Sequence, residues 1–192
     1  MAGRPTVPDL LPLLESGQVL LIARRGWLGW LIRRVTRSSF SHSALIGKTE
    51  EGIIFTVEAA DAEGVKALRF ERYLEDAGVT RLLLRDSTVL TPWERGAIMR
   101  AAWLRVGARY DMMQLVGIWF RRRLPWLFGG KKKALAENRL DSKGAYICSE
   151  LVSVAYLEGA KINLAPAHVA VGNIDPGMLA RSIKLVDVWS WP

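Results

Sequence analysis

Short apolar runs dominate the first half of this chain and longer ones the second. Residues 18–23 (QVLLIA) are almost continuously apolar, which predicts a buried strand. Residues 26–37 (GWLGWLIRRVTR) place Trp27, Trp30, Leu31 and Val35 roughly on one side at helical spacing, and predict a short amphipathic helix. Two stretches rich in Ile, Val and Phe, 41–47 and 53–59, flank the polar loop Lys48-Thr49-Glu50-Glu51-Gly52. That pattern predicts a hairpin. Further strands are expected at 65–68 and 79–85. Thr91 followed by Pro92 and Glu94 has the composition of a helix start, and this helix is expected to reach Val106. Residues 112–120 read as helical. Residues 146–158 are apolar almost all round and predict a buried helix, and 183–189 read as a closing strand.

Strands come first and helices later, which points to an α+β fold with an antiparallel sheet packed against helices. There is no internal repeat and no Gly/Ser- or Pro-rich linker, so residues 1–192 are expected to form a single domain. Residues 121–143 interrupt it as an insertion-like loop, broken by Pro125, Gly129 and Gly130.

Composition excludes several classes. The chain has 192 residues, of which 50% are hydrophobic and 24% charged, enough apolar surface to offset chain entropy. No apolar run approaches the roughly 20 residues of a membrane span. The first residues, MAGRPTVPDLLPLLESG, lack the pattern of a secretory leader, so synthesis in the cytoplasm is expected. One cysteine excludes an internal disulfide and a multi-cysteine metal site, and with two histidines neither a metal nor a cofactor is expected.

The net charge of +8 is unevenly placed. Residues 121–143 hold eight basic side chains against Glu137 and Asp141, and Arg24, Arg25, Arg33, Arg34 and Arg37 form a second block with no acid among them. A basic face attracts nucleic acid, anionic lipid or an acidic polymer without deciding among them; an anionic envelope polymer or a membrane surface is the partner expected for residues 121–143. Trp119, Trp126 and Phe128 lie among the basic residues of the insertion and fit an amphipathic membrane-facing patch, although a solvated charged loop needs no ligand. No Gly-rich phosphate loop is present, since Gly26, Gly29, Gly129 and Gly130 match no nucleotide fingerprint, and nucleic acid is not the expected partner.

Three residues carry candidate chemistry: His42, Glu58 and Cys148. If Gly47 and Ile53 close the hairpin, paired positions sum to 100 and His42 lies directly across from Glu58 on one sheet face. A carboxylate there fixes the imidazole tautomer and leaves the other nitrogen as a base. Cys148 begins an apolar helix, where backbone N–H groups and the helix dipole favour a thiolate and can hold an oxyanion. Each residue alone also has an ordinary structural role: a buried cysteine, a hydrogen-bonded histidine, a glutamate paired with arginine. Asp61 and Glu63 are substitutes for the third position. Tyr110 and Asp111 either border the site or serve packing and capping, and His168 reads as a loop residue.

The segments Ser39-Phe40-Ser41-His42-Ser43-Ala44-Leu45-Ile46, Val57-Glu58-Ala59, Tyr110-Asp111 and Tyr146-Ile147-Cys148-Ser149-Glu150-Leu151-Val152 together resemble the circularly permuted papain-like hydrolases, in the YiiX-like branch of the NlpC superfamily. There, the histidine-bearing strands precede the cysteine-bearing helix. The resemblance runs over about residues 18–189. It implies Cys148 as nucleophile, His42 as general base and Glu58 as the orienting acid of a cysteine peptidase or amidase without a cofactor. It also implies amide bonds of cell-wall peptide crosslinks, or lipid acyl groups, as substrate. A wall enzyme without a leader would need another route outward, such as carriage in a phage particle or release at lysis. A thiol acyltransferase or lipid hydrolase at a membrane is the second expectation. A non-catalytic binding protein on the same fold is the third.

Overall fold

The sheet is built outward from its most apolar strand, Val19–Arg24 (β1). In the computed structural model, which describes residues 5–60, 63–111 and 145–192, β1 pairs antiparallel with His42–Lys48 (β2) on one side and Val79–Asp86 (β5) on the other. Ile54–Ala60 (β3) and Gly64–Arg69 (β4) extend the β2 side, and Val186–Trp191 (β8) closes the other. The strand order is β4-β3-β2-β1-β5-β8, antiparallel throughout. The fold is therefore α+β with an antiparallel sheet against helices, as the order of apolar runs predicts.

Both faces of the central strands are covered, which explains why β1 shows no polar alternation. On one face Val19, Leu21, Leu45 and Val57 pack beneath two helices, Pro92–Trp103 (α4) and Cys148–Ala160 (α5), meeting Ile98, Leu151, Val152 and Ala155. On the other face Leu20, Ile22, Ala44, Ile46 and Ile54 meet Leu10 of the short helix Val7–Leu10 (α1), Leu14, and Phe70 and Tyr73 beside and within Glu71–Glu75 (α3). Each such aliphatic side chain, fully buried, contributes about 1.5–3 kcal/mol relative to exposure. The two helices touch at Gly159, where a Cβ would come within 2.4 Å of the Ile98 backbone nitrogen.

Buried polar groups lock these layers. Arg95 of α4 makes a two-pronged bond to Asp86 at 3.0 and 2.8 Å. Tyr156 of α5 donates its hydroxyl to the Gly17 carbonyl at 2.6 Å. Arg85, nearly buried, reaches Asp187 at 2.7 Å and donates to the carbonyls of Leu179, Ala180, Ser182 and Leu185. It thereby satisfies the carbonyl end of the helix Pro176–Ala180 (α6), which Asp175 caps at its start.

Several boundaries differ from the sequence reading. The helix expected to reach Val106 stops at Trp103, followed by a turn ending at Gly107 with φ +90°. The helix expected from Tyr146 begins at Cys148, because Ala145–Tyr146 (β7) pairs in parallel with Arg109–Tyr110 (β6). The closing strand starts at Val186, and Ile183 is exposed in the turn before it. Trp27–Thr36 (α2) forms where expected, ending at Arg37 in the left-handed conformation, but Trp27 and Trp30 point outward instead of into the core. The expected helix at 112–120, the basic insertion 121–143 with Trp119, Trp126 and Phe128, and Asp61 lie outside the described residues.

Candidate active site

Cys148 takes the first position of α5. The chain arrives extended through β7 and Ile147, and the Asp111 backbone N–H donates to the Tyr146 carbonyl at 3.2 Å. Ile147 has no side-chain oxygen to cap the helix, so the N-cap residue takes up none of the first-turn N–H groups. Glu150 instead accepts from the Ile147 N–H at 3.4 Å, and the Ser149 hydroxyl donates to the Ile174 carbonyl at 2.8 Å. These contacts and the apolar packing of Leu151, Val152 and Ala155 fix the end of the helix against β2 and β3. Cys148 is left 6% exposed.

His42 and Glu58 come from the first residue of β2 and the middle of β3. The observed pairing matches Leu45 with Val57 and Lys48 with Ile54, so positions sum to 102 and not 100. The five-residue turn is displaced by one position along the chain, from 48–52 to 49–53. Continued in that register, Glu58 lies across from Ala44, and His42 is a diagonal neighbour. A shift of two residues in the sum leaves both side chains on the same face, which a shift of one would not. His42 Nε2 and Glu58 Oε2 are 2.7 Å apart. The bond to Glu58 occupies Nε2, and the Cys148 thiol lies close enough to the imidazole for each to shift the other's ionisation.

Glu58 has further partners. The Tyr73 hydroxyl of α3 donates to the same carboxylate oxygen, and Arg72 Nη1 stands 3.9 Å from the other. Burial works to raise the Glu58 carboxyl, but the His42 charge and hydrogen bond, the Tyr73 hydroxyl and Arg72 outweigh it and hold the group below the usual carboxylate range. Burial works to lower His42, but Glu58 and Cys148 prevail and push it up to about 10. For Cys148, burial pushes the thiol up; the His42 charge, the His42 hydrogen bond and a hydrogen bond from the Ser43 backbone bring it below the ordinary thiol value. The three groups together favour a thiolate–imidazolium pair beside a carboxylate.

The chain is similar in fold to YiiX. The crystal structure of metalloprotein YiiX from Escherichia coli O157:H7, DUF1105, superposes with a TM-score of 0.67 at 14% identity, covering 93% of this chain and 98% of that one. No family model matches the sequence, and no curated protein matches it. YiiX is described as a metalloprotein; among the described residues of this chain no three His, Cys, Asp or Glu side chains are placed to hold one metal ion.

A cavity of about 570 Å³ opens beside the pair. His42, Glu58 and Tyr110 line it together with Arg24, Arg25, Lys66 and Arg72, while Leu28 and Ile32 of α2 give it an apolar wall. Cys148 does not line it. Lys66 stands directly across the β3–β4 ladder from Glu58 and is ion-paired with Glu63. Glu63 is thus engaged away from the imidazole and does not substitute for Glu58. Tyr110 borders the site, Asp111 is buried beside β7, and His168 sits exposed in a turn. Sequence reasoning missed Tyr73, Arg72 and Lys66. Lys66 left a trace, a cation inside an apolar strand, whereas nothing local in Phe70-Glu71-Arg72-Tyr73 points to a carboxylate partner on β3.

Proposed function

We propose that this chain is a circularly permuted papain-like cysteine hydrolase that cleaves amide bonds, with Cys148 as nucleophile, His42 as acid–base and Glu58 as the group that orients and charges His42. One observation carries the reading: a single imidazole bonded to a buried carboxylate, with a thiol at a helix start close enough to interact with it. The chain order, with the histidine strand before the cysteine helix, supports the permuted arrangement, and the likeness to YiiX supports a shared fold.

In this mechanism the proton of Cys148 resides on His42, and the thiolate attacks the carbonyl carbon of the amide. First-turn N–H groups of α5 hold the oxyanion. His42 returns its proton to the leaving amine as the C–N bond breaks, leaving a thioester on Cys148. His42 then takes a proton from water, the hydroxide attacks the thioester, and the acid leaves as the thiol is restored. A peptide carrying carboxylates, such as a wall crosslink, suits Arg25, the cavity cation with no acidic partner among the described residues, while Arg24, Lys66 and Arg72 are paired with Asp76, Glu63 and Glu58.

Cross-linked wall peptides incubated with the purified chain and followed by mass spectrometry test the reading. New amine and carboxyl ends are expected with wild type and none with Cys148→Ala. Equal turnover by Cys148→Ala, or no turnover of any amide by a chain whose thiol alkylates slowly, overturns it.

A further inference from the structure

Helix α2 is built to be amphipathic, yet part of its apolar surface faces solvent. Trp27 is 75% exposed and Trp30 59%. With Arg34 they follow the i, i+3, i+7 spacing, so two indoles and a guanidinium form one outward stripe. The helix does not depend on those indoles for its seat. Leu28, Gly29 and Ile32 face inward along the cavity, Thr36 is buried, and the Arg33 guanidinium donates to the Arg24 carbonyl at 2.5 Å.

The charge around the stripe has one sign. Residues 24–37 contain five arginines and no acid. Arg24 is ion-paired with Asp76. Arg25, Arg34 and Arg37 are exposed and have no acidic partner among the described residues.

We infer that α2 is an interfacial anchor that seats the protein on an anionic lipid bilayer. Indoles are favoured at the headgroup level, where the ring is partly apolar and its N–H stays wet, and arginines beside them attract the anionic surface. A soluble polyanion without aromatic groups has use for the arginines but none for two neighbouring exposed tryptophans, whereas the headgroup level of a bilayer uses both. The contact is superficial: among the described residues no helix is long and apolar enough to cross a membrane. Because the stripe lies outside the candidate catalytic group, the inference stands independently of the proposed hydrolase activity.

Co-sedimentation with vesicles tests it. The full chain is mixed with vesicles of equal parts phosphatidylglycerol and phosphatidylcholine, or of phosphatidylcholine alone, at about 0.1 M salt, where charges interact over about 10 Å. Binding is expected to the anionic vesicles, to weaken as salt rises, and to fall about tenfold or more in Trp27→Ala/Trp30→Ala. Arg34→Glu weakens it too, while Cys148→Ala binds as wild type. Circular dichroism and the wild-type alkylation rate confirm that the tryptophan variant is folded. Three results overturn the inference: wild-type binding by the folded tryptophan variant, equal binding to neutral vesicles, or binding of soluble polyphosphate without binding to vesicles.

Discussion

Glu58 and His42 meet at 2.7 Å without being cross-strand partners. The diagonal geometry lets the carboxylate approach the ring nitrogen while Tyr73 and Arg72 hold it from α3. Glu58→Gln keeps the shape and removes the charge, leaving Cys148 as the one remaining anionic partner of the buried imidazolium, at a cost of about 3 kcal/mol near neutrality. The sign with pH follows from both partners. His42 is raised from 6.5 to about 10, so its contribution is full at and below about pH 6.5 and is lost as pH rises through about 10. Glu58 is held below its ordinary 4.5, so its contribution is present above that value and is lost on acidification. Thermal melts of both proteins are expected to converge above about pH 10; a gap that persists there refutes the pairing.

Cys148 should ionise below the ordinary thiol range, because the His42 charge and hydrogen bond outweigh burial. Its alkylation by iodoacetamide is expected to rise with a midpoint below the ordinary thiol value of about 8.5. In His42→Ala burial acts without the compensating charge, so the midpoint moves above about 8.5 and the rate near neutrality drops at least about tenfold. A wild-type midpoint at or above that of the variant removes the basis for the nucleophile assignment.

How much of this arrangement was legible in the sequence depends on the range of each interaction. The sheet was, because β1, β2 and β3 are short apolar runs, the first two divided by the amphipathic α2 and the last two by a polar turn. His42, Glu58 and Cys148 were legible as candidates because each stood where a short-range rule gave it a role. The exact register was not. Whether Lys48 and Ile54 join the ladder is decided by the turn, and an apolar pattern fixes parity better than offset. Tyr73 and Arg72 were invisible, since α3 reaches Glu58 only through the tertiary packing of Phe70 and Tyr73 against the sheet. Outward Trp27 and Trp30 run against the rule that a helix buries its apolar stripe, and such a local failure marks a surface with another use.

Tyr73 is expected to be a positioning residue. Its hydroxyl donates to buried Glu58, and burial with the neighbouring carboxylate pushes the phenol well above its usual range, so it stays a donor at every working pH. Tyr73→Phe leaves the ring in the core and removes one hydrogen bond to a charge, a loss of about 1.5–3 kcal/mol. A purely structural role predicts lower stability and nothing else. Through Glu58, the variant should also raise the pH at which the His42 resonance titrates by nuclear magnetic resonance, because the oxygen that His42 and Tyr73 share is left to the imidazolium alone. An unmoved titration in a folded variant confines Tyr73 to packing.

Gly159 and Gly96 make an opposed pair that tests how tightly α4 and α5 are packed. Both are helical glycines, and replacing one by alanine in an unencumbered helix stabilises by about 0.5–1 kcal/mol. At Gly96 a Cβ meets nothing within 4 Å, so Gly96→Ala should raise the melting temperature by a few degrees, at about 2–4 °C per kcal/mol. At Gly159 the new Cβ falls 2.4 Å from the Ile98 nitrogen and 2.6 Å from its Cα. Backbone cannot rotate aside, so the helices must part, with an overpacking cost of about 1–3 kcal/mol that exceeds the propensity gain. Gly159→Ala should therefore lower the melting temperature while Gly96→Ala raises it. Because Gly159 lies at the far end of α5 from Cys148, the alkylation midpoint should be unchanged in both. Stabilisation by Gly159→Ala would mean that the two helices do not approach as closely as this packing requires.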